Sequence, residues 1–358
     1  MPEVITFQQA IEDSEDCAKR NLLLGNGFSI ACEPDIFHYG SLFEQTDFSA
    51  IPNVRRAFEV LGTQDFEVVI RALEQSSALV SAYLPGSADA AKTLAEHASG
   101  LKELLVATVA NNHPDRPGDI EDGRFLGCRQ FLANFLAGTK RGKVYTLNYD
   151  LLLYWALMHE GDPFEGNPAD IITIDGFGSQ EDDPDADYVV WKAETTANVQ
   201  CVHYLHGALH LYDAGAELRK YTWIRSGVPL VDQARGAIAE GLYPVFVSEG
   251  ASSGKLAKIR HSAYLQHSFK SFFSVMGQAN QALFVYGHSL AQNDNHILSN
   301  IGRGKCRKVY FSLYGDPESP ANQYIARRAE ELATMRTRKY PMTVRFFDAS
   351  TANVWGRR

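Results

Sequence analysis

The 358-residue chain has no Cys-x-x-Cys pair, no excess of basic residues and no long apolar run, and each absence removes a class of function. Its five cysteines (Cys17, Cys32, Cys128, Cys201 and Cys306) are scattered and odd in number. They give neither the ligand spacing of a zinc ribbon nor a disulfide framework, so free, buried thiols in a reducing compartment are expected. A formal net charge of -9 argues against a protein that grips nucleic acid non-specifically, which normally shows a basic balance. No apolar run approaches the ~18 residues of a membrane span, and the N-terminus lacks the basic-then-apolar order of a secretory signal. A soluble, cytoplasmic protein is expected, with no membrane and no direct nucleic-acid partner.

Hydrophobic residues make up 45% of the sequence, enough for a large core. Short apolar runs read as strands at 21–25, 143–147, 199–206, 243–248, 282–287, 308–313 and 343–347. Several are continuous rather than alternating, as strands covered on both faces should be. Helical periods intervene at 151–159, 231–240, 262–278, 293–301 and 320–335. Strands alternating with helices predict an α/β fold: a Rossmann-like, doubly wound, mainly parallel sheet. One region breaks the alternation. Between 53 and 139 only helical periods occur, at 54–61, 66–83, 90–111 and 120–136. The chain is therefore read as a core of 1–52 and 140–358 with a helical insertion, 53–139, after the first core strand. The Asp-, Gly- and Pro-rich stretch 161–186 is expected to be a surface excursion.

Polar residues suited to chemistry follow four of the strands. Gly25-Asn26-Gly27-Phe28-Ser29 follows the first, where glycines let backbone approach a ligand's phosphates and a helix start presents its amides. The same glycines would also serve any tight turn. No glycine stands at position 30 and no Walker lysine follows, which disfavours an ordinary dehydrogenase and a nucleoside triphosphatase. Asn148 and Asp150 end the second strand at the carboxyl edge where open parallel sheets bind ligands. They are also a natural turn residue and helix cap. His206-Gly207 ends the third, and its imidazole could be a general base or a satisfied buried group. His203, His206 and His210 resemble a metal set by spacing, but neighbouring strand residues face opposite ways. Gly287-His288-Ser289-Leu290 and Asp294 follow a fourth. This segment resembles a serine-hydrolase elbow, but the only later histidine, His296, is too near to return as a triad base.

Gly25-Asn26-Gly27-Phe28-Ser29, then Thr146-Leu147-Asn148-Tyr149-Asp150, then His206-Gly207, then Gly287-His288-Ser289-Leu290 resemble, in that order, the motifs of the sirtuin superfamily. More narrowly, they resemble its bacterial branch that destroys NAD, often in antiphage defence. Thr63-Gln64-Asp65-Phe66-Glu67 is similar to an acidic element that opens the helical insert of that branch, and reads equally as a helix cap. The missing zinc ribbon and Leu147 in place of Gln both argue against protein deacylation. The resemblance implies an NAD glycohydrolase that takes NAD as substrate and needs no metal, with Asn148 and His206 catalytic. Gly25, Asn26, Gly27, Phe28, Ser29 and Asp150 would contact the nucleotide along with Gly207, Gly287, Ser289 and Asp294. Within that set Gly25, Gly27 and Ser29 would cradle the diphosphate, and Ser289 and Asp294 would hold the ribose remote from nicotinamide. The insertion would serve as an oligomer surface, lid or partner-docking platform. A non-catalytic NAD or ADP-ribose sensor, or an ADP-ribosyltransferase, would use the same binding residues.

Overall fold

The computed structural model describes residues 3–159, 169–178, 188–192, 199–215, 217–222, 227–240 and 242–356. Most of the excursion expected at 161–186 lies outside them. The strands are β1 (Val4–Ile5), β2 (Lys19–Leu24), β3 (Arg141–Thr146), β4 (Tyr188–Val190), β5 (Val202–Tyr204), β6 (Gly207–Asp213), β7 (Leu218–Tyr221), β8 (Pro244–Phe246), β9 (Gln281–Tyr286), β10 (Lys308–Leu313) and β11 (Thr343–Asp348). Seven of them form one parallel sheet in the order β1-β11-β10-β9-β2-β3-β5. From β2 the chain runs one way through β3 to β5. It then returns and runs the other way from β9 through β10 to β11. This is the Rossmann-like, doubly wound arrangement, and the order reverses between β2 and β9.

Side-chain alternation explains the double winding. Leu22, Leu24, Phe284 and Tyr310 enter one buried cluster, while Leu23, Val285 and Phe311 enter a second on the other face. A strand apolar at every position can be buried only where both faces are covered. Helices Ala263–Met276, Asn295–Arg303 and Pro320–Thr334 cover the second cluster.

Two expectations need correction. The strand read at 243–248 is reduced to β8, and it joins a separate antiparallel sheet, β4-β7-β6-β8, rather than the parallel one. The strand read at 199–206 ends at Tyr204; Leu205 and His206 form a turn, and β6 begins at Gly207. Gly207 makes the reversal with φ +85°, and a Cβ there would lie 1.8 Å from the Val245 carbonyl oxygen. The antiparallel sheet is built from pieces as short as three residues, too short for a period to register.

Between β2 and β3 stand the helices Pro52–Leu61, Phe66–Tyr83, Ala88–Asn112 and Asp122–Leu136. Gly62, at φ +62°, stops the first. Asp65 starts the second by accepting from the Glu67 and Val68 amides at 2.9 and 3.3 Å. The fourth is the crossover helix of the sheet, since Phe135 packs on Phe284 and Phe131 on Tyr286. Phe58, Phe66 and Leu101 share one buried cluster with Leu22 and Phe284. The helical segment is therefore seated on the core. Among the described residues, no helix is long and apolar enough to cross a membrane.

Candidate active site at the switch point

The carboxyl ends of β2, β3 and β9, with the turn after β5, open on a cavity of about 890 Å³. Small-molecule and cofactor sites occupy roughly 300–1,000 Å³, so the space suits a large ligand. Gly25, Asn26, Gly27, Asn148, Asp150, His206, Gly287, Ser289 and Asp294 all line it. Phe28, Ser29 and Gly207 do not: Phe28 is buried against Trp355, Ser29 lies beneath the wall, and Gly207 abuts β8.

The glycine turns are built against each other. The Gly25 amide donates to Tyr286 O at 2.9 Å and the Gly27 amide to Gly287 O at 2.8 Å. A Cβ on Gly25 would lie 2.7 Å from the Gly287 oxygen, and one on Gly27 2.6 Å from the Gly287 Cα. Gly287 itself has φ +67°. These positions need glycine because two backbones touch across the switch point. The Phe28 and Ser29 amides turn back to Gly25 O and Asn26 O. The expected cradle of free amides is therefore not what these residues form. Leu290, buried at φ 56°, is held in that conformation by its amide to His288 Nδ1 at 2.8 Å and by Arg328 Nε on its carbonyl at 3.2 Å. A non-glycine residue in this region costs on the order of 1 kcal/mol.

Asn148 sits two residues beyond β3, its amide bonded to Thr146 Oγ1 at 3.1 Å. Its Nδ2 donates to Gly25 O at 3.1 Å and to Ser29 Oγ at 2.8 Å. Ser29 Oγ in turn donates to Asp150 Oδ2 at 2.5 Å, and Asp150 Oδ1 accepts the Leu152 amide at 2.9 Å. Burial pushes the Asp150 carboxyl up, opposed by Ser29 and the Leu152 amide. Asp150 thus turns the chain into the helix that starts at Leu152 and anchors Ser29, which braces Asn148. With both amide protons of Asn148 committed, the group it can offer a ligand is the Oδ1 carbonyl.

A second cluster lies at His206. Its Nε2 is 3.0 Å from His296 Nε2, the two rings stacked at 16°. Asp294 Oδ1 lies 3.9 Å from the same nitrogen. Asp294 Oδ1 also accepts from Lys255 Nζ at 2.9 Å, and Oδ2 accepts from His288 Nε2 at 3.2 Å. Because His288 Nδ1 accepts the Leu290 amide, its proton must sit on Nε2. Lys255 Nζ donates further to Glu67 Oε2 at 2.7 Å, which Asn293 Nδ2 also reaches. Asp294, expected at the remote ribose, stands beside His206.

The electrostatics follow from burial and pairing. Burial, then the Lys255 ammonium, drives His206 well below its ordinary value, and burial takes His296 to about 4. Both are neutral at pH 7. Burial raises Glu67 to about 7 despite Lys255. Burial would raise Asp294 too, but Lys255, the His288 hydrogen bond and the nearby imidazoles hold it well below the usual carboxylate range. Lys255 keeps its proton because Glu67 and Asp294 outweigh the burial that works against it.

His206, Asp294 and His296 place their ligand-type atoms within 4.8 Å of one another. This is not the His203, His206, His210 set. His203 stacks on Tyr145 and bonds Ser271, while His210 packs on Tyr154 and Tyr204. A dication at the closer set would share its one carboxylate with an ammonium 2.9 Å away, and that repulsion makes the cluster a poor fit for a resident metal.

Sequence reasoning missed Lys255, His288 and His296 as site residues and read Glu67 only as part of a helix start. No local pattern marks Lys255. His288 and His296 carried a usable signal, since His288 lies within the strand-glycine-hydroxyl segment after β9 and His296 follows it. Beyond Gly287 the cavity continues past Ser312, Tyr314, Asn322 and Ile325. There the Gly287 amide donates to Ser312 Oγ at 2.9 Å, and Asn322 Nδ2 holds the Tyr314 carbonyl at 2.9 Å. The Tyr314 residue itself is 80% exposed.

Residues 22–355 match the model of a protein family described as a domain of unknown function (DUF4917). A comparison with curated proteins returned no match.

Proposed function

We propose an activity from the site itself, because the chain belongs to the DUF4917 family and that family's description, a domain of unknown function, names none. The reading is an NAD glycohydrolase, which splits the nicotinamide–ribose bond to give nicotinamide and ADP-ribose. One observation carries it: Asn148 and His206, from turns after neighbouring parallel strands, face one large cavity at the switch point of a Rossmann-like sheet. The order of the four motifs along the chain points to the same chemistry.

In such a reaction the C–N bond breaks with its electron pair moving to the pyridinium nitrogen, which neutralises it, so no acid is needed. Positive charge builds on the ribose. The Asn148 Oδ1 dipole and the Asp294 carboxylate, both lining this cavity, favour it. A water oxygen then bonds to the ribosyl carbon and must lose a proton. His206 is neutral, and in the tautomer that donates Nε2–H to His296 its Nδ1 lone pair is free to accept. Asp294 stabilises the imidazolium that results. The far stretch past Ser312 and Tyr314 would take the adenosine half, with the exposed Tyr314 ring as a stacking face. An enzyme that drains NAD must be restrained in its host, and the proposal includes an effector role in antiphage defence.

The test is incubation of purified protein with NAD, following nicotinamide release, with ADP-ribose titrated by calorimetry in parallel. Release by the wild type that disappears in His206→Ala is the expected result. ADP-ribose binding without release would leave a binding module, and neither binding nor release would end the reading.

A further inference from the structure

Lys255 is 0% exposed, and its ammonium is gripped by two carboxylates from distant parts of the chain. Glu67 belongs to the first turn of Phe66–Tyr83, in the helical segment after β2; Asp294 belongs to the loop after β9. Both carboxylates line the cavity. The helix carrying Glu67 is seated on the loop that leads to Lys255, where a Cβ on Gly250 would lie 2.3 Å from the Arg71 amide nitrogen. Asp65 fixes the start of that helix through two amides.

We infer that Lys255 is a positioning residue of the site and that Glu67 is the contribution of the helical segment to it, the shared cation holding Asp294 in register beside His206. This rests on the reading of the site as catalytic. Without the ammonium, Asp294 would keep only His288 as a side-chain donor, and two half-buried carboxylates would face each other. Without Glu67 the lysine keeps Asp294 but loses its anchor to the helical segment. Whatever lifts Phe66–Tyr83 from Gly250 loosens Asp294 at the same stroke.

The groups facing Glu67 are Lys255, Asn293, Asp294 and Asp65. Its folded-state value, about 7, lies above its ordinary 4.5. Its stabilising contribution is therefore complete below about 4.5 and is lost as pH rises through about 7.

Glu67→Gln is the chosen variant, because the amide oxygen can accept from Lys255 and the side-chain volume is kept; Lys255→Met strips both carboxylates of their cation and is the harsher companion. Two readouts are taken on the full chain. In the first, kcat for NAD is expected to fall about 10-fold in Glu67→Gln and ~100-fold in Lys255→Met with KM little changed, the signature of misplacement rather than lost binding. In the second, which needs no activity, the melting temperature of Glu67→Gln is expected to gain on the wild type as pH rises from about 4.5 to about 7. Wild-type kcat in Glu67→Gln across that range would overturn the inference. If the wild type neither cleaves NAD nor binds ADP-ribose, the activity reading falls by itself; the clamp is then supported by a coupling between Glu67→Gln and Lys255→Met in melting above about pH 7 and overturned by additive effects.

Discussion

Two parts of the cavity wall are held by different means. Where the turns after β2 and β9 meet, the contact is backbone on backbone, and a single added Cβ would come within 2.7 Å of main-chain atoms. Around His206 the contact is side chain on side chain, and the partners stand at 67, 255, 288, 294 and 296. The first part is rigid because glycine alone fits it. The second is held by charge, so it answers to pH and to the seating of one helix.

Four substitutions would break or sharpen that contrast. The largest effect belongs to the charged part: His206→Ala should cut NAD turnover ~100- to 10,000-fold, the range of general acid–base help, with an unchanged circular-dichroism spectrum. Turnover near that of the wild type would remove His206 from the chemistry. Next is Gly287→Ala in the backbone part, where the positive φ and the 2.6 Å approach to Gly27 Cα combine. A stability loss of about 3 kcal/mol is expected in urea melts; a loss under about 1 kcal/mol would mean that the two turns do not touch as described.

Ser29→Ala is intermediate. It leaves a buried Asp150 oxygen and one Asn148 amide proton without a partner. About 2 kcal/mol of stability should be lost, while the KM for NAD stays within about twofold, because Ser29 braces the wall rather than lining it. A large rise in KM with intact stability would return Ser29 to phosphate binding. The smallest effect is Tyr314→Ala, which should weaken ADP-ribose roughly fivefold by calorimetry, the low end of base–aromatic stacking, without affecting melting. Unchanged affinity would place the base elsewhere.

Legibility in the sequence followed the length scale of each feature. Strands β2, β9 and β10 were readable because continuous apolar runs need cover on both faces, and the glycines at 25, 27 and 287 marked where backbones crowd. The reason for the crowding was not readable. An approach between Gly27 and Gly287, 260 positions apart, leaves the same local mark as a phosphate contact. The small antiparallel sheet escaped notice because three of its strands, β4, β7 and β8, hold only three or four residues, and Gly207 concealed a reversal within what reads as one strand.

By itself the sequence determined that this would be a doubly wound α/β protein with polar residues at the tips of four strands, since apolar period and glycine placement are local properties that the chain carries in its own order. Only the tertiary structure decided which of those residues share a cavity, that Ser29 and Asp150 brace Asn148 from behind, and that Lys255 joins Glu67 to Asp294. Those facts depend on desolvation and on charges meeting across long stretches of chain. A lysine acquires such a role only once its carboxylates are folded against it and water has gone.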